Sequence, residues 1–252
     1  MKKFGIQALA CVVASISINA LAETRPPVLK VIEANGVTNL KEFKVGDDLR
    51  GFAGVSGQEP IAVYVGKDGN AIVGTRINAA GETIDVKKVE ELVRKPFGES
   101  AWKTLESAQW IRDGKANAPR IIYVITDPNC PWCHKLWAAA RPWVASGKVQ
   151  LRHLLVGIIR SDSEAKAAAI LTAANPLEAF ERNETSFDKG GIVALKTVPS
   201  SAKQTLQSNV KLMTDLGFRG TPAIVYRTPE GDVEFIGGFP QPAQMQKLFG
   251  PR

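Results

Sequence analysis

Cysteine and histidine are scarce in this 252-residue sequence, which has three of the first and two of the second. A chain of this size with so few cysteines is not built on a disulfide framework. Structural zinc takes about four ligands, and with no second cysteine pair only His134 and His153 could complete a set, so no metal is expected. Long apolar runs are missing after residue 22, where nothing approaches the roughly 20 apolar residues of a membrane span. There is no basic tract or aromatic ladder, and the formal charge of +7 is interspersed, which gives no support to nucleic-acid binding. What is present, 44% hydrophobic and 23% charged residues, can bury a core, so disordered and collagen-like classes are excluded.

Residues 4–22 form the one long apolar stretch. It follows Lys2 and Lys3, is broken by Ser15, Ser17 and Asn19, and ends in Ala20-Leu21-Ala22 before Glu23. This is the pattern of a secretory signal peptide over residues 1–22 rather than of a membrane anchor. Lipid attachment at Cys11 would leave residues 12–22 of the leader on the mature chain, and Ala8 fits that reading poorly. Cleavage removes two lysines and no acids, lowering the formal charge from +7 to +5.

The mature chain then keeps only Cys130 and Cys133, in the run Asp127-Pro128-Asn129-Cys130-Pro131-Trp132-Cys133-His134. A cross-link enclosing two residues constrains the unfolded chain little, so a purely structural role is weak. Two chemistries compete for the pair. C-x-x-C-H is the attachment motif of c-type haem, with His134 as axial ligand. A redox-active dithiol instead needs the pair at the start of a helix that follows a buried strand.

The flanks favour the dithiol. Residues 120–126 (RIIYVIT) are apolar and β-branched, as in a strand covered on both faces. Downstream, Cys133, Leu136, Trp137, Ala140, Trp143 and Val144 recur at helical spacing as far as Gly147, with Pro131 suited to the first turn and Pro142 expected to kink the end. Residues 149–159 are a further strand candidate, completing a βαβ unit. A thiol at a helix N-terminus meets free N–H groups and the positive end of the dipole, both of which favour thiolate. Cys130 is therefore the expected nucleophile and Cys133, on the apolar face, the buried resolving thiol. Pro131 and Trp132 between them modulate the redox poise. Some ninety residues on, Thr221-Pro222 precedes the strand-like run 223–226, where a cis bond would expose backbone groups able to pair with an extended client; an ordinary trans proline at a strand start is the plain alternative.

Together these residues resemble the thioredoxin superfamily, whose CxxC helix faces a cis-proline loop. Residues 27–36 (PVLKVIEANG), 63–74 (VYVGKDGNAIVG), 141–158 (RPWVASGKVQLRHLLVGI) and Thr221-Pro222-Ala223 are similar to periplasmic disulfide isomerases of the DsbC/DsbG family. Asp127-Pro128 and the lack of a second disulfide favour its DsbG branch. The resemblance implies a cystatin-like dimerisation domain, a helical linker and a thioredoxin-like domain with a helical insertion, an α+β followed by an α/β architecture. It implies a periplasmic homodimer acting on cysteine-containing exported proteins as isomerase or reductase, including reduction of sulfenic acids. It further implies an inner-membrane electron donor like DsbD, no cofactor beyond the Cys130–Cys133 disulfide, and Thr221 and Pro222 at the client site. A wide dimer cleft would also suit a chaperone. Two departures stand out: Trp132 replaces the usual tyrosine, and Val124 occupies the position six before the first cysteine that is acidic in thioredoxin. Asp127 is then either a tuner of the thiols or a turn residue before Pro128.

The predicted elements, set against the layout that the resemblance implies, give the domain bounds. Residues 23–82 read as a small α+β unit: a helix over 27–34, then strands at 37–44, 49–56, 61–65 and 71–77, with a hairpin turn at 67–70. Residues 83–116 read as the linker, helical over 86–94 and 100–111 and interrupted by Pro96 and Gly98. Residues 117–252 form the catalytic domain, with an insertion at about 161–217 that carries helices at 163–174 and 200–216. A strand at 233–236 and a helix at 243–249 close it. Lys189-Gly190-Gly191 reads as a flexible loop rather than a phosphate cradle.

Overall fold

A computed structural model describes residues 25–251, so the leader, its cleavage site and Cys11 lie outside the described residues. None of the described helices is long and apolar enough to cross a membrane. After helix α1 (Val28–Ala34) come strands β1 (Val37–Lys44), β2 (Leu49–Ser56), β3 (Glu59–Gly66) and β4 (Ala71–Val73), paired antiparallel in chain order. The strand expected over 71–77 stops at Val73, and Ile77 makes only an isolated bridge to Thr83.

Helix α2 (Val86–Val89) runs through a π-helical turn into helix α3 (Lys95–Ser107). Pro96 and Gly98 do not interrupt it. Pro96 follows directly on the π-helical turn, and a β-carbon on Gly98 would lie 2.9 Å from Val233. Close packing, rather than a chain break, accounts for that glycine. The expected helix to residue 111 ends early, because Ile111–Asp113 is strand β5 of the second sheet. The second sheet therefore begins inside the stretch read as linker.

That sheet also contains β6 (Arg120–Thr126), β7 (Val149–Leu155), β8 (Ala223–Arg227) and β9 (Val233–Gly237), in the order β5-β7-β6-β8-β9. Only β6 and β7 are parallel, joined through helix α4 (Pro131–Ala145); the strand expected to continue to 159 ends at Leu155. Alternation along β6 divides the core. Tyr123 and Ile125 face Trp102 and Leu105 of α3 and Met213 of α7 (Ser200–Asp215). Ile122 and Val124 face Leu136, Ala140 and Val144 of α4 and Phe249 of α8 (Pro242–Phe249). Pro142 lies within the last turn of α4.

The insertion holds α5 (Ser163–Leu171), α6 (Pro176–Thr185) and α7, which pack Ala167, Ile170, Phe180 and Leu206 around Ile111 and Leu155. Helix α6 was not legible from the apolar spacing, although Asn175 caps it by accepting from Glu178 N–H and Pro176 opens it. The first sheet meets the end of α7 where Gln58, in the β2–β3 turn, donates to the Leu216 carbonyl at 3.0 Å; Gly217, at φ +79°, lies so close that a β-carbon would come within 2.8 Å of Gly57.

Candidate functional site

β6 ends at Thr126, and four residues later Cys130 is the N-cap of α4 (φ −83°, ψ 111°), with Pro131 in the first turn. The Cys130 Sγ accepts from the Cys133 N–H at 3.2 Å, which satisfies one orphan donor of the helix start. Across the cleft the Thr221–Pro222 peptide is cis, and the Thr221 carbonyl lies 3.4 Å from the Cys130 Sγ as acceptor. Both cysteines are free thiols and buried, whereas Trp132 is 51% exposed. Trp132 rests against Phe239 with Lys135 Nζ 4.2 Å from its ring centre, so the exposed aromatic is braced on two sides.

The two thiols are electrostatically unequal. A hydrogen bond from the Cys133 thiol lowers the Cys130 pKa to about 7 in spite of burial, with the backbone N–H groups of Cys133 and Trp132 contributing. Burial pushes the Cys133 thiol up, and its hydrogen bond to Cys130 raises it further. The helix start thus helps to hold the Cys130 thiolate, but the partner thiol is the larger influence. Such an arrangement, one thiol easily ionised beside one kept protonated, suits thiol–disulfide exchange.

Asp127 is spent on the loop. Its buried carboxylate accepts from Asn129 N–H (2.8 Å), the Ile158 and Ile159 N–H groups (2.6 and 3.0 Å) and the Ser163 hydroxyl (2.8 Å). All four are loop or helix-start donors, so any effect of Asp127 on the thiols comes through positioning. Val124 is buried in the core beneath α4, and no carboxylate stands there.

Several polar residues here went unnoticed in the sequence. Asn129 bonds Asp162 and Ser163, and Lys166 donates to Asn129 and to the Gly190 carbonyl. Asn183, fully buried on α6, donates to the Pro128 carbonyl at 3.0 Å. A β-carbon on Gly191 would meet Asn183 Oδ1 at 2.4 Å, so the loop expected to be flexible is instead pinned at both glycines. The available signal was the polar character of Asn183 and Glu184 beside an Asn-Pro helix start. His134, the candidate iron ligand, is within 3.1 Å of the buried Glu184 and stacks on Phe187 at 4.6 Å. Burial raises the Glu184 pKa, against the hydrogen bond from His134.

A CxxC pair between a central strand and a helix, facing a cis-proline, defines a thioredoxin-like thiol–disulfide oxidoreductase. The model of the thioredoxin-like domain family matches residues 109–250, which places its start just ahead of β5. DsbG of Pseudomonas aeruginosa, a thiol:disulfide interchange protein, is 39% identical over 232 residues, covering 92% of this chain and 91% of the relative. DsbG of Escherichia coli is 38% identical over 232 residues, covering 92% and 94%. Among solved structures, the catalytic domain of Proteus mirabilis ScsC matches with a TM-score of 0.49 at 17% identity, covering 61% of this chain and 95% of that one. The chain belongs to the DsbG family of thiol:disulfide interchange proteins. The haem reading of Cys130 to His134 falls with that membership. Among the described residues no group of three or more His, Cys, Asp or Glu could hold a metal ion.

Proposed function

We propose that this chain is a periplasmic disulfide isomerase and reductase with Cys130 as nucleophile and Cys133 as resolving thiol. The observation that carries it is the Cys130 Sγ held on the Cys133 N–H at the start of α4 and facing the cis Thr221–Pro222 step, with Cys130 displaced down and the buried Cys133 up. The Cys130 thiolate attacks one sulfur of a client disulfide, forming a mixed disulfide and releasing the other client sulfur as thiolate. If a client thiolate then attacks the client sulfur of that bond, a new client disulfide forms and the Cys130 thiolate is regenerated, which is isomerisation. If Cys133 attacks the Cys130 sulfur, the client leaves reduced and the two electrons have come from the Cys130–Cys133 pair, which ends as a disulfide. A client sulfenic acid enters the same route, with hydroxide as the first leaving group and water after protonation.

The cis Thr221–Pro222 step beside Cys130 suits pairing with client backbone, and Pro131, Trp132 and Asp127 modulate the pair. No cofactor beyond the dithiol is required. The clients are cysteine-containing exported proteins reached after cleavage at residue 22. An inner-membrane donor like DsbD returns the electrons, and the domain of residues 23–82, whose four-stranded sheet runs from Val37 to Val73, forms a homodimer ahead of the linker and catalytic domain. Cys133→Ala expressed with its leader tests this: stable mixed disulfides through Cys130 are expected, and they vanish in Cys130→Ser. Multi-cysteine clients support isomerisation and single-cysteine clients support sulfenic acid reduction; absence of any trapped client contradicts the reading.

A further inference from the structure

Lys166 lies on α5, outside the CxxC loop, yet its side chain is only 9% exposed. Its ammonium has three oxygen partners: Asn129 Oδ1 at 2.8 Å, the Gly190 carbonyl at 2.9 Å and Asp162 Oδ2 at 2.9 Å. The Asp162 side chain is 44% exposed, so the ion pair adds little net stability: water screens the carboxylate, and desolvation of the buried ammonium offsets most of the attraction. Orientation is what such a group can supply. An ammonium only donates, so it selects the amide oxygen of Asn129 and turns the Asn129 Nδ2 toward Asp162 Oδ1 and Ser163 Oγ, each at 2.9 Å. The Asn129 backbone N–H is taken by Asp127 at 2.8 Å. Ser163 is itself closed off, donating to Asp127 and accepting from the Arg160 N–H at 3.0 Å. The Asn129 side chain therefore has one arrangement that satisfies all its partners, and the next residue is Cys130, whose ψ of 111° turns Sγ onto the Cys133 N–H.

We propose that Lys166 is a positioning residue for the reactive thiol: by fixing the Asn129 carboxamide it holds the 129–130 peptide so that Cys130 Sγ stays on the opening amide of α4. This rests on Cys130 being the nucleophile. Lys166 acts through Asn129, since its three bonds go to Asn129, Gly190 and Asp162 and to neither sulfur. Once the link is cut, the 129–130 peptide keeps only the Cys130 N–H bond to the Asp127 carbonyl at 3.0 Å, about which it can rock, and the thiolate loses part of its hydrogen bonding to the helix start.

The test is a double-mutant cycle on the full-length reduced protein with Lys166→Met and Asn129→Ala. Its readout is the pH midpoint of Cys130 alkylation by iodoacetamide, followed by peptide mass spectrometry. Each single substitution is expected to raise the midpoint by about one unit, and the double variant no further than either single, because both cut the same link. Asn129→Ala leaves the ammonium on Asp162 and Gly190, so it decides the matter if Lys166→Met does not fold. An unchanged midpoint in a folded single variant overturns the proposal. So does additivity, which is the behaviour of a lysine that merely braces the Gly190 loop. Cys130→Ser, run in parallel, reports on the nucleophile itself: exchange that survives it refutes that assignment, whereas exchange lost there with unshifted midpoints in the cycle refutes only the role of Lys166.

Discussion

The Cys130 thiol links the stability of the reduced protein to pH. Folded, it ionises at about 7 against an ordinary value of 9.0, so between those values the native chain binds fewer protons than the unfolded one. Stability from this group is complete above the unfolded value and is lost as pH falls through the folded one. One pKa unit corresponds to about 1.4 kcal/mol, and integrating the two titrations from about pH 6 to about pH 8 gives a gain of about 1.3 kcal/mol. Cys133 does not cancel this gain inside the window. Its pKa is raised, so its opposing contribution starts only at higher pH, where an unfolded thiol would ionise. The assay is urea denaturation of the reduced protein and of Cys130→Ser, each at both pH values. Subtracting the two series removes the groups that do not touch Cys130, and Cys133, which burial alone keeps raised in the variant, contributes little below the ordinary thiol value in either protein. The difference should grow by about 1.3 kcal/mol toward the alkaline end in favour of the protein that keeps Cys130. A flat difference, or one that shrinks, refutes the assignment of a depressed thiol.

Two further outcomes follow from buried carboxylates. Asp127→Ala strands four donors and is expected to lower the unfolding free energy by about 3 to 5 kcal/mol in urea, given about 1 to 3 kcal/mol for each buried group left unpaired and partial access of water; a loss below about 1 kcal/mol would show that the loop stands without it. Burial pushes the Asp113 carboxyl on β5 up, but the hydrogen bonds and charges of His153 and of Arg141 of α4 together outweigh it and hold the group well below the usual carboxylate range. A depressed carboxylate stabilises above its unfolded pKa and stops doing so as acid protonates it, so Asp113→Asn should be less stable than the parent at neutral pH, with the gap narrowing in acid; a gap independent of pH contradicts this.

The chemistry of the site was legible because it is local. β6, the CxxC residues and α4 follow one another without a break, and burial on both faces, an N-cap position and a proline in the first turn are written in fourteen consecutive positions or so. The cis Thr221–Pro222 step became a candidate only through its association with the pair, since proline before a strand has an ordinary explanation. Less was legible where packing decides. Lys95–Ser107 is one helix because Gly98 fits against Val233, a contact more than a hundred positions distant in the chain. Ile111–Asp113 becomes a strand by pairing with β7. The polar residues behind the loop, Asn129, Ser163, Lys166 and Asn183, have meaning only once α5 and α6 are folded against residues 127–130. No periodicity reports such partners.

The central claim is that one thiol of the pair is the ready nucleophile while its neighbour waits. Its most direct measurement is the alkylation rate at each cysteine of the reduced wild-type protein as a function of pH, resolved by peptide mass spectrometry. The account predicts a single step at Cys130 centred at about 7, with Cys133 unlabelled through that range. A step near the ordinary thiol value of 9.0, or label arriving first at Cys133, contradicts it.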